Sequence, residues 1–306
     1  MKEKKNIRFL IADILLLAGA IIPLIFGVVL NILTTPASEG ISISGALIYF
    51  TIPMPIQDLP ITESQVNSAL VIISIFFLCL YFTHGLSVKA NLKRQLIAEW
   101  IVEATGNLVK TNMGEYFSGF AAFVGAVMGL SAFSSLLSLL GLYPPTSDIN
   151  IVGGWAILVF VLITYYKMKC GPWHYMKSFG EPVSVLLPIN IISEFATPVS
   201  MAFRHYGNVL SGSVISVLVA TGLQGLSHML LSWIPGKLGE FPLFQIGFPA
   251  VLSLYFDIFS GCMQAFIFAM LTMLYVAGAF PVEEWQKRME KKKNRKKKTA
   301  QYETVK

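Results

Sequence analysis

The sequence predicts an all-α integral membrane protein with about six membrane-crossing helices and one amphipathic helix at the membrane interface. Of its 306 residues, 55% are hydrophobic and only 13% are charged, and the mean hydropathy is +0.65. Apolar runs recur along the chain, and each reaches the roughly 20 residues that a helix needs to cross a bilayer. Because lipid offers the backbone no hydrogen bonds, an isolated apolar run of that length crosses as a helix.

The first apolar run, residues 9–33, predicts the first crossing. Four basic residues lie within residues 1–8, and the positive-inside rule places such a cluster in the cytoplasm. At about 25 residues the run is longer than the apolar core of a secretory signal, which favours a retained helix. A cleaved signal that ends near Ala37 and Ser38 is the alternative interpretation.

The next segment, residues 34–66, contains no lysine or arginine and is rich in Pro, Ser, Thr and Gly. It predicts an external loop, with or without a short surface helix. A second crossing is predicted at residues 66–86. Residues 87–110 then mix four basic and two acidic residues with apolar ones at helical spacing, which predicts an amphipathic helix along the cytoplasmic face, with Trp100 at interfacial depth.

Residues 116–142 predict the third crossing, and within it Gly125 and Gly129 have the spacing that permits close helix contact. The prolines of residues 141–150 end this helix in a short external turn without basic residues. A fourth crossing, residues 151–166, leads back to the cytoplasm, because three lysines follow it within residues 167–177.

The last two apolar stretches, residues 182–233 and 244–280, are too long for upright helices. At 1.5 Å per residue, about 50 residues extend roughly 75 Å, against a hydrocarbon core of about 30 Å. A strongly tilted helix that curves, or kinks at Pro188 and Pro198, can absorb this length. A short external turn at residues 235–241 joins the two, so that six crossings leave both termini in the cytoplasm.

The C-terminal end is strongly basic, with ten of the 23 lysines and arginines between Lys287 and Lys306. Because this run follows an apolar span, it predicts a juxtamembrane tail near anionic lipid rather than a nucleic-acid-binding segment; a tail that only fixes the topology is the plainer alternative.

The three cysteines and four histidines are scattered along the chain, so we predict no disulfide framework, no metal and no cofactor.

One charge lies inside the fifth apolar stretch: Arg204, whose nearest basic neighbours in sequence are Lys177 and Lys237. A charge at mid-bilayer costs about 2.5–3.5 kcal/mol on insertion scales, so it rarely persists without a role. Arginine does not deprotonate at neutral pH, which suits a fixed positive charge that meets a mobile negative one; an arginine that snorkels or pairs for stability is the alternative. Helical spacing places five small or polar residues on its stripe: Thr197, Ser200, Gly207, Asn208 and Ser211.

A second polar stripe lies in the last apolar stretch. An acid, hydroxyls and an amide on one helix face can line a water-filled path and relay or bind an ion. The simpler alternative is an internal ion pair between Asp257 and Arg204. The stripe consists of Ser253, Asp257, Ser260, Gly261 and Gln264.

The sequence PVSMAFRHYGN, residues 198–208, resembles the arginine motif of subunit a of the F-type ATP synthase, the stator subunit that faces the rotor ring. A proline stands six residues before the arginine, and Gly-Asn follows it by three and four residues. QAFIFAMLTMLY, starting at Gln264, is similar to the last helix of that family. The resemblance covers residues 66–281 of what we expect to be one polytopic domain over residues 1–306. Residues 1–65 form an extra span and loop, and residues 282–306 form the basic tail.

The resemblance implies an ion-translocating subunit, in the first instance for protons, with two offset half-channels that lead to a rotor carboxylate. It also implies two long, tilted helices that embrace the rotor. The expected partners are the ring of c subunits, the peripheral-stalk b subunits, the rest of the complex and membrane lipid, without nucleic acid. The subunit itself is not expected to be an enzyme, and a bacterial cell membrane is the expected location.

For the ion path, the resemblance implies that Arg204 separates the half-channels. Many members carry an acid nine residues after the arginine, where this chain has Ser213, so Asp257 is expected to be the carboxylate of the external half-channel. Glu194, about 80° from Arg204 around the helix, is expected either in the internal half-channel or near the headgroups. The expected ion-translocation residues are Arg204, Asp257, Gln264, Asn208, Ser213 and Glu194.

Two other classes of function fit parts of the sequence. A secondary transporter could use Arg204 to bind an anionic substrate such as a carboxylate, but the chain has no internal repeat of the kind on which many transporters are built. A purely structural membrane scaffold would have no use for two polar stripes inside apolar helices.

Overall fold

The computed structural model of the chain describes residues 2–34, 45–88, 93–169, 171–180, 184–233, 244, 247, 251–252, 254–282, 285–287 and 289–290. The external turn predicted at residues 235–241, Ser253 and the tail beyond residue 290 lie outside the described residues. Predictions for those segments therefore stay predictions.

The described chain is almost entirely helical, which confirms the all-α class. Six helical stretches are long and apolar enough to cross a membrane, as predicted: Ile7–Thr34, Glu63–Thr83, Glu115–Leu140, Ile149–Met168, Leu187–Leu231 and Tyr255–Ala279. In chain order the α-helices are α1 (Lys2–Thr34), α2 (Glu63–Thr83), α3 (Lys93–Met113), α4 (Ala121–Leu136), α5 (Ile149–Met168), α6 (Pro172–Ser178), α7 (Leu187–Leu231) and α8 (Gly261–Ala279).

The elements between these helices are short. Helix α4 continues a 3₁₀ helix, Glu115–Phe120, and runs into another, Leu137–Leu140. Two further 3₁₀ turns, Pro145–Ser147 and Ser184–Leu186, precede α5 and α7. Helix α8 follows directly on a π-helical turn, Tyr255–Ser260. A π-helical turn is wider than an α-helical one, and this turn includes two residues of the predicted polar stripe, Asp257 and Ser260.

The over-long fifth stretch is confirmed, because α7 has 45 residues, more than twice the roughly 20 that an upright helix needs. Pro198 lies inside it without ending it. The last crossing is described over 25 residues, Tyr255–Ala279, and the ten residues before it are mostly outside the described part.

Helix α3 lies where an interfacial helix was predicted. It is not among the apolar crossings of the described chain.

The predicted loop before α2 contains, among its described residues, an antiparallel hairpin of β1 (Ile48–Ile52) and β2 (Leu59–Thr62) instead of the short surface helix that the sequence left open. The segment LIYFTI is rich in β-branched and aromatic residues, which favour strands. Pro53 and Pro55 follow it directly and cannot continue a strand in the interior of a sheet.

The chain divides into two compact units, each built from two sequence segments. The first unit comprises residues 1–152 and 203–269, and the second comprises residues 153–202 and 270–306. In the first unit a buried cluster of Val71, Leu137 and Leu142 forms an apolar core between α2 and the end of the third crossing. Leu24 and Val28 of α1 pack against this cluster.

The extra N-terminal helix α1 also makes a polar contact with the corner between α2 and α3. Asp13 Oδ1 lies 2.6 Å from Arg94 Nη1 and 2.8 Å from His84 Nδ1. Arg94 is buried, and it also donates to the backbone oxygen of His84 at 2.7 Å. Because Asp13 supplies the negative charge beside a buried guanidinium, α1 is an integrated part of the first unit.

Candidate functional site

In the first unit Arg204 lies on an exposed stripe of α7 together with Asn208 and Ser211. Among the described residues it forms no salt bridge; the salt bridges there join Asp13 with Arg94 and His84, Lys110 with Glu115, and Lys167 with Glu194. The internal ion pair considered for Asp257 and Arg204 is therefore not formed in the described structure. An exposed guanidinium on a membrane-crossing helix leaves a charge that lipid cannot solvate.

Beside this stripe, α7, the third crossing and the last crossing enclose a small cavity of about 20 Å³. A cavity that holds about one probe sphere, roughly 10–15 Å³, is large enough for a single water molecule when polar groups surround it. The cavity brings together Asp257, Ser213 and Asn208, three of the predicted ion-path residues. Its full lining is Ser135, Ser138, Asn208, Val209, Gly212, Ser213, Phe256, Asp257, Ser260 and Gly261.

Two glycines let the helices around this cavity approach closely. A Cβ on Gly261 would lie 2.5 Å from Ser135 Cβ, and one on Gly212 would lie 3.1 Å from Phe256 Cδ1. At the Gly125 and Gly129 spacing, which permits close contact, a Cβ on Gly125 would lie 3.5 Å from Thr105 Cγ2, an ordinary van der Waals distance, and one on Gly129 would meet nothing within 4 Å. The tight helix contact is therefore at the Asp257 cavity rather than at the GxxxG spacing.

The π-helical turn Tyr255–Ser260 carries Asp257 at this contact. Such turns hold one extra residue per helical turn and recur at functional sites. The α-helical spacing used for the sequence prediction therefore does not hold through residue 260. Even so, Asp257, Ser260 and Gly261 all line the same cavity.

Gln264 lies one turn beyond the cavity and is 2% exposed. Its Oε1 accepts a hydrogen bond of 2.6 Å from Asn208 Nδ2. This hydrogen bond satisfies the buried Gln264 amide and restrains the rotation of both helices, because an unpaired buried amide is costly. Asn208 thus connects the cavity around Asp257 with the buried Gln264.

His205, next to the arginine, is a buried polar residue that the sequence reading missed. It is 0% exposed, and its Nε2 lies 3.3 Å from Ser131 Oγ. Its ring packs against the Phe268 ring in a T-shaped arrangement, with 5.5 Å between the ring centroids. The third crossing carried a signal in its sequence, because its serines recur at helical spacing and place hydroxyls toward a neighbouring helix. These serines are Ser131, Ser134, Ser135 and Ser138.

The second unit holds a larger cavity of about 560 Å³. Glu194, the predicted residue of this unit, is 7% exposed at its side chain and forms a salt bridge with Lys167 of α5. Burial raises the pKa of Tyr175, and the negative charge of Glu194 raises it further. The cavity is lined by Ile163, Lys167, Tyr175, Phe179, Asn190, Ser193, Glu194, Thr197, Leu274, Tyr275, Gly278, Ala279 and Pro281.

A buried polar network lies where α2 begins, at the turn before α5. Glu63 is buried and accepts from Asn31 Nδ2 at 2.8 Å and from the Tyr143 backbone nitrogen at 3.3 Å. Ser64 Oγ donates to Asp148, whose Oδ1 also accepts from the Asn150 backbone nitrogen at 2.9 Å. Asp148 is therefore fixed in the turn by a hydroxyl on one side and by its own loop on the other.

The sequence is similar to known proteins over most of its length. The family described as ATP synthase A chain matches residues 66–277. A protein named ATP synthase subunit a from Priestia megaterium is 31% identical over 238 residues, covering 72% of this chain and 94% of that protein. Proteins of the same name from Macrococcus caseolyticus and Legionella pneumophila strain Philadelphia 1 are 31% and 27% identical, covering 66% and 75% of this chain and 83% and 91% of those proteins.

Proposed function

The chain belongs to the ATP synthase A chain family, and on that premise we propose that it translocates protons between two offset half-channels and a rotor carboxylate. As a member it is a multi-pass membrane subunit of the ATP synthase complex. We infer further that it is a non-catalytic stator subunit that contacts the ring of c subunits and the peripheral-stalk b subunits. Its location is a bacterial cell membrane, with both termini in the cytoplasm.

The proposed cycle uses the cost of charge in lipid. A proton that enters from outside neutralises the rotor carboxylate, and the neutral group can then turn into the bilayer where a charged one would be too costly. After nearly a full turn the proton leaves to the cytoplasm. Arg204 stands between the two half-channels, where its fixed charge attracts the ionised carboxylate and repels a proton that would cross directly.

The observation that carries this proposal is the exposed Arg204 beside the Asp257 cavity. Arg204 lacks an acidic partner among the described residues and lies one helical turn before Asn208, which lines that cavity and binds Gln264. An uncompensated positive charge on the exposed face of a crossing helix suits a carboxylate supplied by another subunit. The polar cavity suits the last water-filled step of the external path.

For the internal half-channel we propose the cavity around Glu194 in the second unit. It is large enough for several water molecules, at about 560 Å³, and Glu194 shares its wall with Asn190, Ser193 and Thr197. Of the two places expected for Glu194, a cavity wall supports the half-channel interpretation better than the headgroup one.

The test exchanges the acid between two residues of the same cavity. Asp257→Asn should slow ATP-driven proton pumping in inverted vesicles without raising passive permeability, because it removes a relay but leaves the barrier at Arg204. Adding Ser213→Glu should restore part of the rate, since both side chains line one cavity. Wild-type pumping in Asp257→Asn would remove this residue from the path, and a proton leak would mean that Asp257 helps to maintain the barrier at Arg204.

A further inference from the structure

The hairpin of β1 and β2 precedes the residues that match the ATP synthase A chain family, which begin at residue 66. Its second strand runs directly into α2, and Thr62 is both the last strand residue and the residue that caps the helix. The backbone nitrogen of Glu63 also donates to the Leu47 oxygen at 2.8 Å. The base of the hairpin is therefore fixed at the level where a membrane-crossing helix begins.

The register of the hairpin gathers four apolar side chains on one face, while the other face carries Ile48, which is 60% exposed, with Thr51, Pro60 and Thr62. Phe50 is opposite Ile61, and Ile52 is opposite Leu59. Residues that face each other across strands project from the same side of the ribbon, as do residues two apart along one strand. Four apolar side chains thus share one face, and three of them are exposed, with Phe50 at 57%.

The loop at the tip of the hairpin extends this apolar surface. Ile56 is 99% exposed and Met54 is also exposed. Residues 45–62 contain no lysine or arginine, and Asp58 is their one charged residue. A two-stranded ribbon is at best marginally stable in water. Apolar area left in water forgoes the free energy gained on burial, so an apolar cover would stabilise this surface.

The base of the hairpin lies against the end of α1 and the start of α2, which orients the apolar face. Tyr49 is the extra residue where the register shifts. Its pKa is raised mainly by burial and further by the charge of Glu63, while a hydrogen bond with Thr34 lowers it. Glu63 in turn binds Asn31 of α1 at 2.8 Å. Leu33, in the last turn of α1, is 77% exposed, so the apolar surface of this crossing helix continues to the hairpin.

We propose that the hairpin is an interfacial anchor whose Phe50 face and Ile56 tip insert into the boundary between lipid headgroups and acyl chains. The occupant is lipid rather than another protein, because the patch continues the apolar surface of a membrane-crossing helix and starts at the level where the next one begins. Aromatic and aliphatic side chains without positive charge suit this layer of the bilayer. The anchor holds the ends of α1 and α2 at a fixed depth.

The test compares neighbouring residues on opposite faces of β1. Phe50→Cys and Thr51→Cys are each made in a chain whose three natural cysteines are serines, labelled with the fluorophore NBD, and reconstituted in liposomes as the whole ATP synthase. Label at residue 50 should be quenched at least threefold more by spin-labelled lipid than label at residue 51, and aqueous iodide should show the reverse order. Ile56→Cys and Gln57→Cys repeat the comparison at the tip if the strand variants assemble poorly.

Two outcomes overturn the anchor. Equal quenching by iodide at residues 50 and 51 would mean that both faces are in water. Label at residue 50 that is protected from iodide and from spin-labelled lipid alike would mean that another subunit covers the face. ATP-driven pumping by the labelled complexes reports assembly, and the quenching result does not depend on which residues carry the proton.

Discussion

The closest contact at the Asp257 cavity gives a sharp prediction, because Gly261→Ala introduces a methyl group where none fits. Its Cβ would lie 2.5 Å from Ser135 Cβ and 2.9 Å from Ser135 Oγ, whereas carbon atoms in contact sit about 3.5–4.0 Å apart. Ser135 is buried and its hydroxyl donates to the Ser131 oxygen at 3.2 Å, so it has little freedom to turn away. The third and last crossings must therefore separate by about 1 Å, and overpacking of this kind costs about 1–3 kcal/mol.

The assay measures two quantities for each variant: the dissociation temperature of the detergent-solubilised complex and the rate of ATP-driven pumping in inverted vesicles. Gly261→Ala should lower both. Ser135→Gly in the same chain should recover most of each loss, because it removes the clashing side chain. Gly129→Ala is the control, since its Cβ would meet nothing within 4 Å. The reasoning is refuted if Gly261→Ala matches Gly129→Ala, or if Ser135→Gly brings no recovery.

Three further predictions concern the rest of the chain. Glu194→Gln should slow pumping several-fold without a proton leak, measured in the same vesicles, because it removes the carboxylate from the wall of the larger cavity; unchanged rates would exclude it from the path. Asp13→Asn leaves Arg94 buried without its carboxylate, and breaking such a pair costs on the order of 3 kcal/mol, so thermal unfolding should begin several degrees lower, whereas Glu115→Gln at an exposed pair should change little. Removal of residues 291–306 should reduce membrane abundance but leave pumping per assembled complex intact; slower pumping at normal assembly would give the tail a direct part in transport.

The crossing helices could be predicted closely because lipid leaves the backbone so few options. The third crossing was expected at residues 116–142 and is found at Glu115–Leu140, and the fourth was expected at residues 151–166 and is found at Ile149–Met168. The excess length of the fifth stretch was also readable from the sequence. These boundaries differ by a few residues because helix ends depend on local capping rather than on hydropathy.

The hairpin and the π-helical turn could not be predicted in the same way. Strands Ile48–Ile52 and Leu59–Thr62 lie in a segment that is rich in Pro, Ser and Thr as a whole, and this loop-like composition obscures the short strand-favouring run LIYFTI. The turn Tyr255–Ser260 adds one residue to a helical turn, which leaves no mark in composition.

Contacts between residues distant in sequence were the feature of the site that was hardest to predict. Asn208 and Gln264 are 56 residues apart, and spacing alone could assign each to a polar stripe but could not pair them. The salt bridge of Lys167 with Glu194 was missed because lysine at the end of a crossing helix is typical of the positive-inside rule. His205 was not predicted as a buried polar residue because it lies about 100° from Arg204 around the helix, outside the stripe of small and polar residues.

The most direct test of the central claim replaces Arg204 and measures coupling and leak in the same vesicles. If Arg204 separates two half-channels, Arg204→Ala reduces ATP-driven proton pumping to background while the passive proton permeability of the membrane sector rises. Phe203→Ala, at the exposed neighbouring residue, should leave both quantities near wild type and serves as the matched control. Normal pumping by Arg204→Ala, with no rise in permeability, would contradict the account.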